Sequence, residues 1–545
     1  MADWFKDFDP LKNAELFNLG IGKGSGSAAS TGVAIGKGIN QVLANRRQRR
    51  QMEEEQAAER RRQDELVRNP PPLHGSAHWA TASELRQAEL LRNLAAFDDP
   101  ASLVLGTLPG AAGFDRPQGQ IHWDGEGHLL TVAPTRSGKS TMLIVPNLLR
   151  YRGSAIVLDP KGELYRDTSA WRAAHVGPVY RIAPFDTATD AFNPLEAVRD
   201  ASDARALADL MIPDDPNAQD YFKKDAIAYL YALILFVTLQ APPERRSLAE
   251  IRAITAGPLE TFLAVARAMA AFDSPAIRNA ANIVLGKSRD RSLPLLRDTL
   301  NTELVLWDDP GVIRATSGPS INLAALKERQ ATLYITVPFE KTDAFAPFLK
   351  VLLTSVLDAM VQSPVQPGIP VLFVLDEFLS LGPFPKFRDA IRTHAGAGVR
   401  LWFFLQDIST LQEHYPASWK AFFNASVKLF FGTDEAFTAE LISEWLGAAT
   451  VAYRTTQLTL NQSTSTGPIG GRDGNQGNNL AHSVAFTGKP LLSPPEVVEQ
   501  LSGILPDKTR NGILFVRGVS PVRTRLVPWF LGSICRARVG TKPSS

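Results

Sequence analysis

The chain has 545 residues, 44% hydrophobic and 21% charged, a globular composition too long for one ordinary core, so two or more domains are expected. Lys and Arg number 58 against 56 Asp and Glu, a formal net charge of +2, so nucleic-acid affinity has to come from local patches and not from a global field. The single cysteine, Cys535, excludes an internal disulfide and any cysteine-built metal site or cluster, and fits a reducing cytoplasm.

At the N-terminus, MADWFKDFDPLKNAELF is acidic and aromatic and lacks the basic start and apolar stretch of a secretory signal. Gly20 to Ala44 is rich in small residues with Lys23 and Lys37 inside it, and would insert poorly into a bilayer. From Arg46 to Arg68 the sequence has no apolar face and reads as a solvated charged helix or a flexible arm, whose basic ends can touch phosphates or lipid headgroups. NPPP at Asn69–Pro72 closes it as a linker. Residues 1–72 are therefore expected to be an arm without a clear transmembrane helix. His74 and His78 stand four apart, but HGSAH contains Gly and Ser and follows three prolines, so it does not read as a metal pair.

Residues 133–141 read APTRSGKST, between the apolar HLLTV and the helix-like TMLIVPNLL. A triphosphate needs consecutive backbone N–H groups, one lysine and a hydroxyl ligand for Mg²⁺. Ala133, Pro134, Thr135, Arg136, Ser137, Gly138, Lys139, Ser140 and Thr141 supply such a loop, with Ser140 as metal ligand. Strand, loop, helix is the order it requires. Ala133 stands where GxxxxGK[ST] asks for its first glycine, which costs only if that position needs a positive φ.

Apolar runs then recur, each ending in a polar cluster: SAIVLDPKGE, ATLYITVP, VLFVLDEF, RLWFFLQD and VKLFFGTD. Such runs are buried on both faces, as in a mainly parallel sheet covered by helices, with the ligand site at the strands' carboxyl ends. Between Ala201 and Glu303 the texture is helical, including the apolar AIAYLYALILFVTLQA from Ala226, which is short for a membrane span and reads as a buried helix. The expectation is an α/β domain over 73–200 and 304–545 carrying an inserted all-α domain at 201–303. A polar, Gly/Asn-rich stretch at 455–483 reads as a mobile loop.

Asp376 and Glu377 emerge directly after the apolar strand Val371–Leu375, where acids are costly unless something uses them. Asp376 is assigned to the Mg²⁺ shell and Glu377 to polarising the attacking water. Gln406, ending LWFFLQ, can accept from water and donate to a γ-phosphate. Lys139, Glu377, Gln406 and Arg392 form the catalytic set, Arg392 or Arg136 being the candidate guanidinium that a neighbouring subunit supplies. Asp159, Lys161 and Glu163, at another strand end, either sense nucleotide or contact a neighbouring subunit. Arg510, Arg517, Arg523, Arg525, Arg536 and Arg538 make the tail basic, facing DNA or merely scattered over the surface.

With HGSAHWAT, APTRSGKST, IVLDPKGELY, FNPL, LDEFLSLG, LQDISTLQ, LISEWLG, GKPLLSPPEV and FVRGVSPVRTR in order over about Leu73 to Phe530, the chain resembles the TraG-like coupling proteins of type IV secretion and conjugation systems, relatives of the FtsK/HerA DNA-pumping ATPases. The resemblance implies a P-loop, RecA-like α/β motor that forms a homo-hexamer, uses ATP and Mg²⁺, is stimulated by DNA, and recognises relaxase–DNA or protein cargo through its all-α domain. It also implies channel components at the cytoplasmic face of the bacterial inner membrane as partners. One departure is the expected lack of the N-terminal membrane helices that family members commonly carry. The reading that follows is a DNA-moving ATPase; alternatives are a nucleotide-gated cargo receptor and a soluble DNA-pumping ATPase outside secretion.

Overall fold

A computed structural model of the chain describes residues 28–92, 99–111, 119–212, 221–318, 320–466 and 472–540. Two compact units emerge: Met1–Ser76 with Ala448–Lys489, and Ala77–Gly447 with Pro490–Ser545.

The larger unit is built on strands β1 (Leu103–Thr107), β2 (Gln120–Trp123), β3 (Leu129–Val132), β4 (Ala155–Leu158), β5 (Val179–Ile182), β6 (Thr332–Ile335), β7 (Val371–Leu375), β8 (Val399–Leu405) and β9 (Val427–Phe431). After β10 (Ala448–Thr466) and β11 (Arg472–Pro490), which belong to the smaller unit, come β12 (Arg510–Val516) and β13 (Val522–Leu526). One eleven-stranded sheet runs β2-β1-β13-β12-β9-β3-β8-β7-β4-β6-β5. From β9 to β5 neighbouring strands are parallel; β12, β13, β1 and β2 extend the β9 edge by antiparallel pairing. β3, β4, β6, β7 and β8 are buried at every residue, as the continuous apolar runs predict.

Between β5 and β6 the chain leaves the sheet as helices Ala201–Met211, Tyr221–Gln240, Leu248–Ala256, Leu259–Ala270, Pro275–Leu285 and Ser292–Glu303. Helix continues past Glu303 in Pro310–Ser317 and Ala325–Glu328. Tyr229, Leu230, Leu233 and Ile234 of the apolar helix are buried, so its hydrophobicity serves a core. Among the described residues no helix is long and apolar enough to cross a membrane. The helices share one hydrophobic cluster with the sheet, and Phe348 of the helix Ala346–Gln362 meets Phe192 edge to ring and Trp307 at a tilt.

In the smaller unit, Ala28–Arg68 is one helix, and residues 43–62 are exposed throughout, so of the two readings of the charged arm the helix is the one formed. Arg454 of β10 pairs with Asp64 of that helix. The stretch expected as a mobile loop at 455–483 is instead the pair β10 and β11, joined through 467–471, which lie outside the described residues. Its Thr, Gln and Asn residues satisfy their backbone across the ladder, an option that composition alone does not exclude.

Two buried side chains brace the segment that follows β3. Arg172, fully buried on the helix Glu163–His175, donates to the carbonyls of Leu148 (2.9 Å), Tyr151 (2.8 Å) and Gly153 (2.7 Å) and to Oγ1 of Thr332 (2.6 Å). Asn147 pairs with the backbone of β1, accepting from Val104 N at 2.7 Å and donating to its carbonyl at 2.9 Å. Removing the guanidinium strands three buried carbonyls, each costing about 1–3 kcal/mol. Arg172→Met is therefore expected to lower unfolding stability by about 3 kcal/mol or more, read as a shift of the urea midpoint; a change within experimental error would remove this brace from the account.

Candidate nucleotide site

The phosphate loop leaves β3 at Ala133, whose N–H donates to the carbonyl of Leu405 in β8 at 2.9 Å. Ala133 is fully buried and is not among the residues of positive φ, so the missing glycine costs the loop nothing. The positive φ values fall at Arg136 (59°) and Gly138 (97°). Arg136, a non-glycine residue in the left-handed region, carries strain of the kind that persists where surrounding structure holds it. After the loop, Ser140–Ile144 form a π-helical turn that passes into Val145–Leu148. The wider turn accommodates Pro146, which has no N–H for the carbonyl four residues back.

Strand order brings the remaining candidates to this loop. β8 lies between β3 and β7, with Val132 level with Leu405 and Leu375 level with Phe403. Gln406 and the Asp376–Glu377 pair therefore emerge beside Lys139 on one edge. Lys139 Nζ donates to the Ala133 carbonyl at 2.9 Å and stands 3.5 Å from Glu377 Oε1, both side chains being only 6% exposed. Gln406 Nε2 donates to Glu377 Oε2 at 2.7 Å. Glu377 itself adopts φ 51°, which turns the chain sharply after β7 and aims its carboxylate back at the loop. Lysine and amide thus hold Glu377 in place, and phosphate oxygens are the natural competitors for both donors.

Asp376 is 4% exposed and accepts from the N–H of Glu377 at 3.1 Å. Burial first, and the charge of Glu377 second, push its carboxyl up to about 7, against the opposing pull of Lys139 and Lys161. A buried carboxylate without a cation in bonding contact fits a divalent metal. Among the described residues no cluster of three or more His, Cys, Asp or Glu could hold one. Mg²⁺ takes one or two protein oxygens together with phosphate and water. Asp376 and the Ser140 hydroxyl would be those ligands.

Other candidates fall elsewhere. Asp159 is buried and accepts from Tyr165 N at 2.8 Å, capping the helix that begins at Glu163, while Lys161 and Glu163 are exposed. Burial raises the carboxyl of Asp159 too. Arg392 is exposed in the last turn of the helix Pro385–Thr393, two residues beyond Ala390, whose backbone meets His128 just before β3 begins. It therefore lies at the opposite end of the strands from Lys139 and does not reach this chain's own site. The tail arginines are not one surface: Arg510 is 8% exposed inside the sheet, Arg538 donates to the Leu149 carbonyl at 2.8 Å, and Arg523 stacks on Trp79. The bonds of Glu377 to Lys139 and Gln406 were beyond sequence reading, because nothing local in the chain signals that β8 separates β3 from β7.

Two predictions follow from this geometry. Ala133→Gly should leave nucleotide affinity within about twofold and lower stability by about 0.5–1 kcal/mol, measured by nucleotide titration and thermal melting. As a Mg²⁺ ligand Asp376 would have to be ionised, so magnesium-dependent nucleotide affinity should weaken as pH falls through about 7, where the carboxyl takes its proton. Titrations at pH 8 and pH 6 check this, and Asp376→Asn should flatten the dependence.

A profile of the family described as Type IV secretory system Conjugative DNA transfer matches residues 78–544. The chain is similar to Protein VirD4 of Rhizobium rhizogenes, 28% identical over 491 residues, covering 85% of this chain and 66% of that protein. It is also similar to Conjugal transfer protein TraG of Escherichia coli, 26% identical over 513 residues, covering 86% of this chain and 78% of that protein. The chain thus spans about two thirds of the length of the VirD4 relative. Among solved structures, the unbound bacterial conjugative coupling protein TrwBdeltaN70 aligns with a TM-score of 0.57 at 17% identity, covering 84% of this chain and 93% of that one. The plasmid coupling protein TrwB in complex with ADP and Mg²⁺ aligns with a TM-score of 0.56 at 17% identity, covering 84% and 96%. These likenesses agree with the P-loop α/β fold described above, and the chain belongs to the type IV secretory system conjugative DNA transfer family.

Proposed function

We propose that this protein is an ATP-hydrolysing coupling protein that delivers DNA, as a relaxase–DNA complex, or protein cargo to a type IV secretion channel. The observation that carries the reading is the convergence of Lys139, Glu377 and Gln406 at the carboxyl ends of β3, β7 and β8, beside the buried Asp376. Relatives named for conjugal transfer and a structural neighbour holding ADP and Mg²⁺ support it.

In this reading the loop N–H groups and Lys139 bind the phosphates, and Ser140 and Asp376 hold Mg²⁺, which screens phosphate charge. Once Lys139 turns to phosphate, Glu377 is free to accept a hydrogen bond from the attacking water, and Gln406 orients that water and senses the γ-phosphate. Arg392 lies far from its own site, so its place in this reading is the guanidinium that one subunit of a hexamer lends to the next; Arg136, exposed within the loop, is the second candidate. The helices between β5 and β6 serve as the cargo-recognising domain. Attachment at the cytoplasmic face of the inner membrane goes through channel components or through the basic helix Ala28–Arg68.

The test is steady-state ATP hydrolysis with and without single- and double-stranded DNA. DNA should raise turnover several-fold; Lys139→Ala should lose nucleotide binding, and Glu377→Gln should bind nucleotide but turn over at least about a hundredfold more slowly. DNA affinity should fall with a log–log salt slope of about 0.7–0.9 per neutralised phosphate. Nucleotide binding without hydrolysis under any DNA condition would replace the motor by a nucleotide-gated receptor.

A further inference from the structure

On the β9 side of the phosphate loop, away from Asp376 and Glu377, lies a second group of buried polar atoms that hydrolysis leaves unused. β9 ends at Phe431, and Gly432 follows at φ 72°. A Cβ on Gly432 would stand 2.8 Å from Cβ of Ser137 and 3.6 Å from Nη1 of Arg510, so the loop and the first residue of β12 both come close to this glycine. Ser137, Thr433 and Arg510 are all buried. Oγ of Ser137, Oγ1 of Thr433 and Nε of Arg510 have no hydrogen-bond partner. Nη1 of Arg510, by contrast, donates to the Ser502 carbonyl at 2.9 Å, which fixes the guanidinium where it is.

A guanidinium donor and two hydroxyl acceptors left unbonded around one glycine are bonds that a small displacement completes. On the nucleotide reading the loop is the member of that set that phosphate would contact, it contains the strained Arg136, and Ser137 is its residue nearest Gly432. Arg510 is anchored, since β12 pairs with both β9 and β13.

We propose that Arg510 is a positioning residue for nucleotide binding: when phosphate fills the loop, the single N–H on Nε of Arg510 donates to the hydroxyl of Thr433, that hydroxyl donates to the hydroxyl of Ser137, and the relay holds the loop in its phosphate-binding form. This rests on the nucleotide reading given above. It also gives the C-terminal strands a means of registering nucleotide, because the same guanidinium is tied to Ser502 at the end of the helix Pro494–Ser502.

The experiment measures magnesium-dependent binding of a fluorescent ATP analogue to the full chain, together with melting of the nucleotide-free protein. Variants are Arg510→Met, Arg510→Lys, Thr433→Val and the Arg510→Met/Thr433→Val double, with Lys139→Ala as control. Arg510→Met and Thr433→Val should each weaken binding about fivefold to tenfold, the double should bind no worse than the weaker single, and Arg510→Lys should recover part of the loss. Melting shifts without nucleotide should simply add. Unchanged affinity in Arg510→Met and Thr433→Val, with binding lost in Lys139→Ala, overturns the inference and leaves the nucleotide reading standing. Coupling equally strong in the nucleotide-free melts overturns it as well, because the bonds would then exist before phosphate arrives. A wild type that does not bind the analogue defeats the nucleotide reading, and this inference with it. Should Arg510→Met not fold, Thr433→Val and Ser137→Ala decide, and wild-type affinity in both overturns the proposal.

Discussion

The structure turns on burying two carboxylates and a lysine together at the carboxyl edge of a parallel sheet. Taking Asp376, Glu377 and Lys139 out of water is costly, and the cost is offset only while each keeps a partner. Lys139 divides its donors between the Ala133 carbonyl and Glu377, and Gln406 covers the other oxygen of that carboxylate. Asp376 accepts from the N–H of Glu377, and burial first and the charge of Glu377 second raise its carboxyl to about 7.

That constraint dictates the strand order around it. β3, β8 and β7 have to be neighbours, parallel and in register, so that their last residues fall at one height. The register is protected because all three strands are buried on both faces. A slip of one residue would invert every side chain and turn Gln406 away from Glu377. Arg172 and Asn147 then hold the segment behind the loop against β6 and β1.

The rest of the larger unit grows outward from that frame. The helical excursion leaves between β5 and β6, at the sheet edge farthest from the loop's β9 side, so a large insertion there leaves the β3–β8–β7 centre untouched. On the other flank, β12 and β13 extend the sheet by antiparallel pairing and bring Arg510 behind the phosphate loop, a place its basic neighbours in the sequence give no hint of.

The amino-acid sequence by itself determined the α/β class and singled out the phosphate-loop residues, the acidic pair and Gln406 as candidates, because each rests on local chemistry: a glycine-lysine-serine turn after an apolar strand, and polar groups at the ends of fully apolar runs. The helical reading of 201–303 was equally legible, since apolar spacing over successive turns is a local signal. Tertiary structure alone decided what depends on partners distant in the chain. Polar composition at 455–483 suggested a loop, and cross-strand pairing made it a ladder. Arg392, between the acids and Gln406 in sequence, went to the far end of the strands because the helix carrying it runs back across the sheet. Whether Ala133 cost the loop anything depended on its φ, which is not positive, and on its N–H meeting Leu405 of β8, for hydrogen bonds formed by chain segments meeting in space leave no mark in the order of residues.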